Sequence, residues 1–196
     1  MKQLKDPYYD PRGAHIRLYH EVYDSHAFAC LAGSSKLIYL AMHRRKTSYN
    51  NGDLSMPLSA AQQYGIKSSS TLAKALRELV SVGLVAVTRE GGCQRDGKRL
   101  ATLYRLTDFK SLDFPMKHVE GMKATDEWKK FKTRAAARQA LKLGTAEAAL
   151  VEDKRQMERA LRGSVTTTSK NGGKESQTAS KIGDLHRGRL HYLKLV

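Results

Sequence analysis

Apolar positions recur every three or four residues in several short runs of the chain, the spacing that places side chains on one face of a helix. Leu18, Val22, Phe28 and Leu31 predict short helical turns with one apolar side. Leu37, Ile38, Leu40, Ala41 and Met42 predict a longer helix with Ser34 as its N-cap. That helix ends in the basic run His43-Arg44-Arg45-Lys46, where cations suit the negative end of the helix dipole, with a clamp on DNA as the alternative reading. Asn50-Asn51-Gly52 follows as a turn, and Leu54-Ser55-Met56 as a very short strand.

The stretch 58–106 is more strongly patterned. Pro57 suits a first helical turn, and Leu58, Ala61 and Tyr64 lie three apart on the helix it opens. Gly65 stops that helix and Ile66 plugs the core at the turn. Ser68 or Ser69 caps the next helix, whose Leu72, Ala75, Leu76, Leu79 and Val80 share one apolar face. Gly83 sits where a left-handed residue closes a helix, with Leu84 folding back behind it. Residues 84–88 and 100–106 read as two strands, and the polar, glycine-rich residues 89–99 between them read as a hairpin tip.

Beyond Asp108 the pattern loosens. Residues 124–143 carry Trp128, Phe131 and Ala135 on one helical face, and residues 145–161 form a second helical stretch with Ala149, Leu150, Met157 and Leu161 as its apolar positions. The organisation expected is an arm over 1–13, a globular domain over 14–109, a basic helical extension over 110–162, a disordered linker over 163–181 and a terminal segment over 182–196. The apolar stripe of 145–161 is too thin for a lone helix, so it calls for the domain or a second copy as partner, and a homodimer is expected.

Charge changes the picture. Lys and Arg number 35 against 19 Asp and Glu, a formal net charge of +16 among 196 residues. Both halves share it: 16 basic against 9 acidic residues over 1–109, and 19 against 10 over 110–196. Such a field favours polyanions or an acidic membrane surface. No apolar run approaches the ~20 residues of a membrane helix, and two cysteines make no disulfide framework, so a cytoplasmic, nucleoid-associated protein without membrane contact is expected.

Helix, tight turn, helix and hairpin, on a basic chain, point to double-stranded DNA. A helix fits the major groove, where each base pair displays a distinct pattern of donors and acceptors. The second helix offers Lys67, Ser68, Ser69, Ser70, Thr71 and Lys74 at its amino-terminal end, with Arg77 one turn further on to reach a phosphate or a base edge. The hairpin tip offers Arg89, Arg95, Lys98 and Arg99 to the backbone or minor groove. The expected fold is mainly α with a small β-hairpin wing, followed by the basic helical and disordered extension.

"YGIKSSSTLAKALRELVSVGLV" resembles the recognition segment of winged helix-turn-helix regulators of the MarR-like and GntR-like kind, matching at Gly65, Ile66, Ala75, Leu76, Leu79, Gly83, Leu84 and Val85. It departs from them by one extra residue between Ile66 and Ala75. Residues 14–132, including "LTDF" and "KATDEWKKF", are similar to small winged-helix proteins of bacterial plasmids, phages and integrative elements. The resemblance implies a sequence-specific transcriptional regulator, or a replication initiator or accessory protein that binds origin repeats. A protein-assembly factor working through the C-terminal helices is the alternative from another class.

Catalysis finds little support in the pattern. His15, His20 and His26 are not at metal-ligand spacing, and no glycine loop with a following Lys and Ser or Thr is present to cradle a phosphate. Neither a cofactor, a metal nor an enzymatic activity is expected.

Overall fold

Two short helices, α1 (His20–Tyr23) and α2 (His26–Ala29), lead into α3 (Gly33–Arg45). Val22, Phe28 and Leu31 are buried as their spacing predicts, and Ser25 caps α2 by accepting from the Phe28 amide at 3.1 Å. Ala32, not Ser34, occupies the N-cap of α3, and it has no side chain to cap with. A carboxylate from elsewhere takes over: Glu78 Oε2 accepts from the Ala32 amide at 3.3 Å and from Ser35 Oγ at 2.6 Å. A negative group at this end also complements the helix dipole. The computed structural model describes residue 13 and residues 15–93 and 97–168. The chain divides into two units, Met1–Ala149 and Leu150–Val196.

Pro57 stands at the N-cap of α4 (Leu58–Gln62), one position earlier than the first-turn placement expected. Gly65, at φ +84°, turns the chain, and the Ile66 amide closes the turn on the Ala61 carbonyl at 3.2 Å. α5 (Ser69–Ser81) then runs against α3. Leu72, Ala75 and Leu79 enter one core with Ile38, Tyr39 and Met42 of α3. Leu76 is half-buried, and Val80 is 37% exposed, outside the apolar face assigned to it. Burial of each large aliphatic side chain contributes about 1.5–3 kcal/mol.

The end of α5 is a complete Schellman motif. Gly83 has φ +70°, its amide bonds to the Val80 carbonyl at 3.0 Å, and the Leu84 amide bonds to Leu79 at 3.1 Å. A Cβ at Gly83 would stand 2.8 Å from Glu127 Cβ and 3.1 Å from the Trp128 nitrogen, so glycine is required twice here.

Beyond it β1 (Val85–Arg89) pairs antiparallel with β4 (Leu103–Leu106), and β2 (Gly92–Cys93) pairs with β3 (Arg99–Leu100). The hairpin is thus kinked rather than continuous. The register slips between Val87 and Arg89, leaving Thr88 as a bulge whose hydroxyl donates to the Gly52 carbonyl at 2.6 Å. The expected strand over 100–106 breaks at Ala101 and Thr102, where Gly91 packs so tightly that a Cβ would lie 2.7 Å from the Thr102 nitrogen. Leu54 bridges Tyr104 on the other side of β4, which makes the predicted short strand a single pair of hydrogen bonds.

Asn51 holds the segment after β4. Its side chain is buried; Nδ2 donates to the carbonyls of Leu106, Phe109 and Lys110, each at 3.0 Å, and Oδ1 accepts from the Leu106 amide at 2.8 Å. The 124–143 helix expected from Trp128 and Phe131 starts later. Thr125 and Asp126 amides both bond to the Thr107 carbonyl, Asp126 turns left-handed at φ +46°, and Glu127–Lys130 form one 3-10 turn. Buried Arg105 anchors that turn, with its guanidinium 2.8 Å from Glu127 Oε1. Trp128 is buried in the core from this turn, and Ala135 is exposed.

Helix α6 (Arg134–Thr168) replaces the two separate helical stretches of the sequence reading. In the first unit Ala137 is buried and Leu141 packs on the core. Gly144, in mid-helix, faces Ser81, whose Cβ would be 3.1 Å from a Cβ placed there. A glycine costs a helix interior about 1 kcal/mol relative to Ala, and this close approach is what it permits. In the second unit the side chains over 150–161 are exposed, Leu150 and Met157 by more than half. Residues 163–168, assigned to the linker from composition, are helical. The rest of the linker, the terminal segment 182–196 and nearly all of the arm lie outside the described residues.

A polar cluster is sealed under the end of α3. Tyr39 Oη donates to Asp108 Oδ2 at 3.4 Å, and His43 Nε2 lies 3.9 Å from the same oxygen. Burial pushes the Asp108 carboxyl up to about 6 and the His43 imidazole down to about 4, the latter helped by the charge on Lys46. At neutral pH the imidazole is uncharged, so the 3.9 Å approach is not an ion pair.

Two outcomes follow from these features. Gly83→Ala should destabilise by about 2–3 kcal/mol, because strain at positive φ adds to a backbone clash. Gly65→Ala, at φ +84° with nothing within 4 Å, should cost only about 1 kcal/mol. Equal urea midpoints for the two variants would refute the packing requirement. On acidification the buried pair works in opposite senses. Asp108 takes up its proton more readily folded than unfolded, so it adds stability as pH falls through 6 towards 4; His43 resists protonation when folded, so it removes stability below 6.5. Relative to the parent chain, His43→Gln should gain stability between pH 7 and 4.5 and Asp108→Asn should lose it. Parallel curves in urea titrations at the two pH values would refute this.

Candidate nucleic-acid interface

The outward side of α5 follows from its buried one. With Leu72, Ala75 and Leu79 inside, the helical repeat directs Ser70, Lys74, Arg77 and Ser81 away from the core. Lys67, Ser68, Ser69, Ser70 and Lys74 are exposed, and Thr71 and Arg77 are half-buried. Ser81 packs on Gly144, so the first part of α6 covers the carboxyl end of this stripe and leaves its amino-terminal end open. The sequence held one signal of that cover, a lone glycine inside an otherwise strong helical run.

Ser68 occupies the N-cap of α5, but its hydroxyl bonds to Ser70 Oγ at 2.7 Å and caps no amide. Ser69 and Ser70 are the first helical residues, so neither of them is the cap. The first-turn amides are therefore without a side-chain partner and point out of the helix end. Lys74 Nζ is 4.0 Å from Glu78 Oε1, with its side chain 66% exposed. An exposed pair at that distance holds the lysine weakly, while Glu78 is already engaged by the start of α3.

The hairpin cations differ among themselves. Arg89 is half-buried and its Nη2 donates to the Ala101 carbonyl at 3.3 Å, which spans the kink between the two halves of the hairpin. That geometry makes Arg89 a strut. Lys98 and Arg99 are exposed on the distal half, and Arg95 lies outside the described residues. The structure thus brings Lys67, Ser68, Ser69, Ser70 and Lys74 together on one open helix end, and sets Lys98 and Arg99 apart from them on the hairpin.

A polar cleft of about 440 Å³, absent from the sequence reading, is lined by Arg44 and Arg45 of α3, Asp53, Ser55 and Tyr64. Among the described residues no cluster of three or more His, Cys, Asp or Glu side chains is placed to hold a metal ion, and no helix is long and apolar enough to cross a membrane.

Arg89→Ala should cost about 1 kcal/mol of stability through loss of the bond across the kink, whereas Lys74→Ala should stay within about 0.5 kcal/mol of the parent chain. Thermal melts of the two variants check this, and an unchanged Arg89→Ala melt would remove its assignment as a strut. Comparison of the chain with protein-family models, curated proteins and solved structures returns no match.

Proposed function

We propose that this chain is a winged helix-turn-helix protein that binds double-stranded DNA at specific sites and regulates transcription on a bacterial mobile element. One observation carries the proposal. α5 buries its apolar face with α3, keeps an open, cationic amino-terminal end, and passes through Gly83 straight into a hairpin with basic groups at its far end. In this reading α4 and α5 are the helix-turn-helix, the Leu54 bridge is the first strand, and the β1–β4 hairpin with its distal extension is the wing.

The roles follow from chemistry. Lys67, Ser68, Ser69, Ser70, Thr71 and Lys74 approach base edges, because the amino-terminal part of such a helix enters the major groove. The uncapped amides of α5 receive a phosphate, as helix amino termini do. Arg77, partly shaded, reaches the backbone. Arg95, Lys98 and Arg99 hold phosphates and position the domain without reading sequence. Occupation of an operator excludes or recruits polymerase, with no cofactor. Self-association belongs to the same proposal: exposed Leu150 and Met157, two turns apart, offer an apolar stripe to a second copy, and two copies would span two half-sites.

Duplex binding should weaken steeply with salt, with a slope of about −0.9 in log affinity against log salt per phosphate neutralised. Lys74→Ala should lower affinity for the preferred site by about 1–3 kcal/mol if a base-edge contact is lost. The combined Arg95→Ala, Lys98→Ala, Arg99→Ala variant should weaken all duplexes alike. Binding titrations on a selected and an unrelated duplex measure both. A flat salt response, or equal preference for every duplex and heparin, would overturn the proposal.

A further inference from the structure

The cleft beside α3 holds two arginines without a task in the fold. Arg44 and Arg45 are exposed, and among the described residues neither guanidinium makes a hydrogen bond or salt bridge. Their place in the last turn of α3 suits the helix dipole, as the sequence reading has it, but the last carbonyls of the helix do not depend on them. The Lys46 amide already bonds to the carbonyls of Met42 and His43, and Asn50 Nδ2 donates to the Arg45 carbonyl at 3.0 Å. The rest of the run has other duties: His43 is buried against Asp108, and Lys46 Nζ stands 3.9 Å from the centre of the Phe109 ring.

The cleft is also electrostatically one-sided. Its one carboxylate, Asp53, is paired with Lys117 Nζ at 2.5 Å, which leaves the two guanidinium charges uncompensated. Hydroxyls of Ser55 and Tyr64 supply further hydrogen-bonding groups. Tyr64 fixes where this site lies relative to α5. Lys67 is three peptide units further along the chain, so the two Cα atoms are no more than about 11 Å apart.

We infer that Arg44 and Arg45 form a second phosphate clamp, which grips the sugar-phosphate backbone flanking the groove that α5 enters. The inference rests on the duplex-binding reading and adds a contact site to it. Guanidinium groups suit the task, since each can present two parallel donors to one phosphate. The clamp is a positioning device, so it contributes affinity for any duplex and no preference among sequences.

The test compares three full-length proteins on a selected and an unrelated duplex over a salt series: the parent chain, Arg44→Ala/Arg45→Ala, and Lys154→Ala/Arg155→Ala as a control that removes two exposed charges elsewhere. Melting temperatures verify that each is folded, and Arg44→Gln/Arg45→Gln replaces the alanine variant if it is not. The clamp variant should show a salt slope shallower by about 1–2, as expected for one or two lost phosphate contacts, and equal fold-losses on both duplexes, with the control unchanged. An unchanged clamp variant, or a control that behaves like it, overturns the inference and leaves duplex binding standing. A parent chain that binds no duplex overturns both.

Discussion

The left-handed turn at Gly83 is the constraint on which the rest of the domain depends. It ends α5, aims β1 and clears the space in which the Glu127–Lys130 turn packs. Thr107, just past β4, completes the junction, donating its hydroxyl to the Gly83 carbonyl at 2.7 Å and its amide to the Leu84 carbonyl at 3.2 Å. The Thr107 carbonyl in turn receives Thr125 and Asp126. Helix, hairpin and the chain leading to α6 therefore meet at one backbone crossing. No side chain other than hydrogen permits that crossing.

The legible parts of the fold were those governed by local rules. Gly65 and Gly83 announced the two turns, and the spacing of Leu72, Ala75 and Leu79 identified the inner face of α5. What stayed hidden depends on partners distant in sequence. Ala32 is an unpromising N-cap until Glu78 arrives from α5. Asn51 reads as an ordinary turn residue, yet its side chain gathers three carbonyls. Trp128 fits a helical face by spacing, but hydrogen bonds to Thr107 and the Arg105–Glu127 pair draw it into a tight turn. Gly144 looks like a break in a helix, and close contact with Ser81 makes it an interior position.

The same division runs through the candidate interface. Lys67, Ser68, Ser69, Ser70 and Lys74 were visible because exposure on α5 follows from its periodicity. Arg89 was grouped with the other hairpin cations because nothing local reveals the kink, across which its guanidinium donates to the Ala101 carbonyl. Arg44 and Arg45 were assigned to a helix end, where they do stand, but the cleft they line with Asp53 and Tyr64 depends on residues distant in sequence. Charge alone did not sort these residues. The carbonyls and carboxylates within their reach did.

Glu78 gives α5 a structural task on the side away from its open end. Its carboxylate and the apolar residues Leu72, Ala75 and Leu79 secure the helix to α3, and none of these lies among the outward positions Ser70, Lys74, Arg77 and Ser81. Folding and surface chemistry are thus written in separate letters of the same helix. Such a helix is open to drift: its outward letters can be exchanged, in nature or in a combinatorial library, while the scaffold beneath them persists. Point substitution at these positions can change the chemistry of that surface without drawing on the stability of the domain.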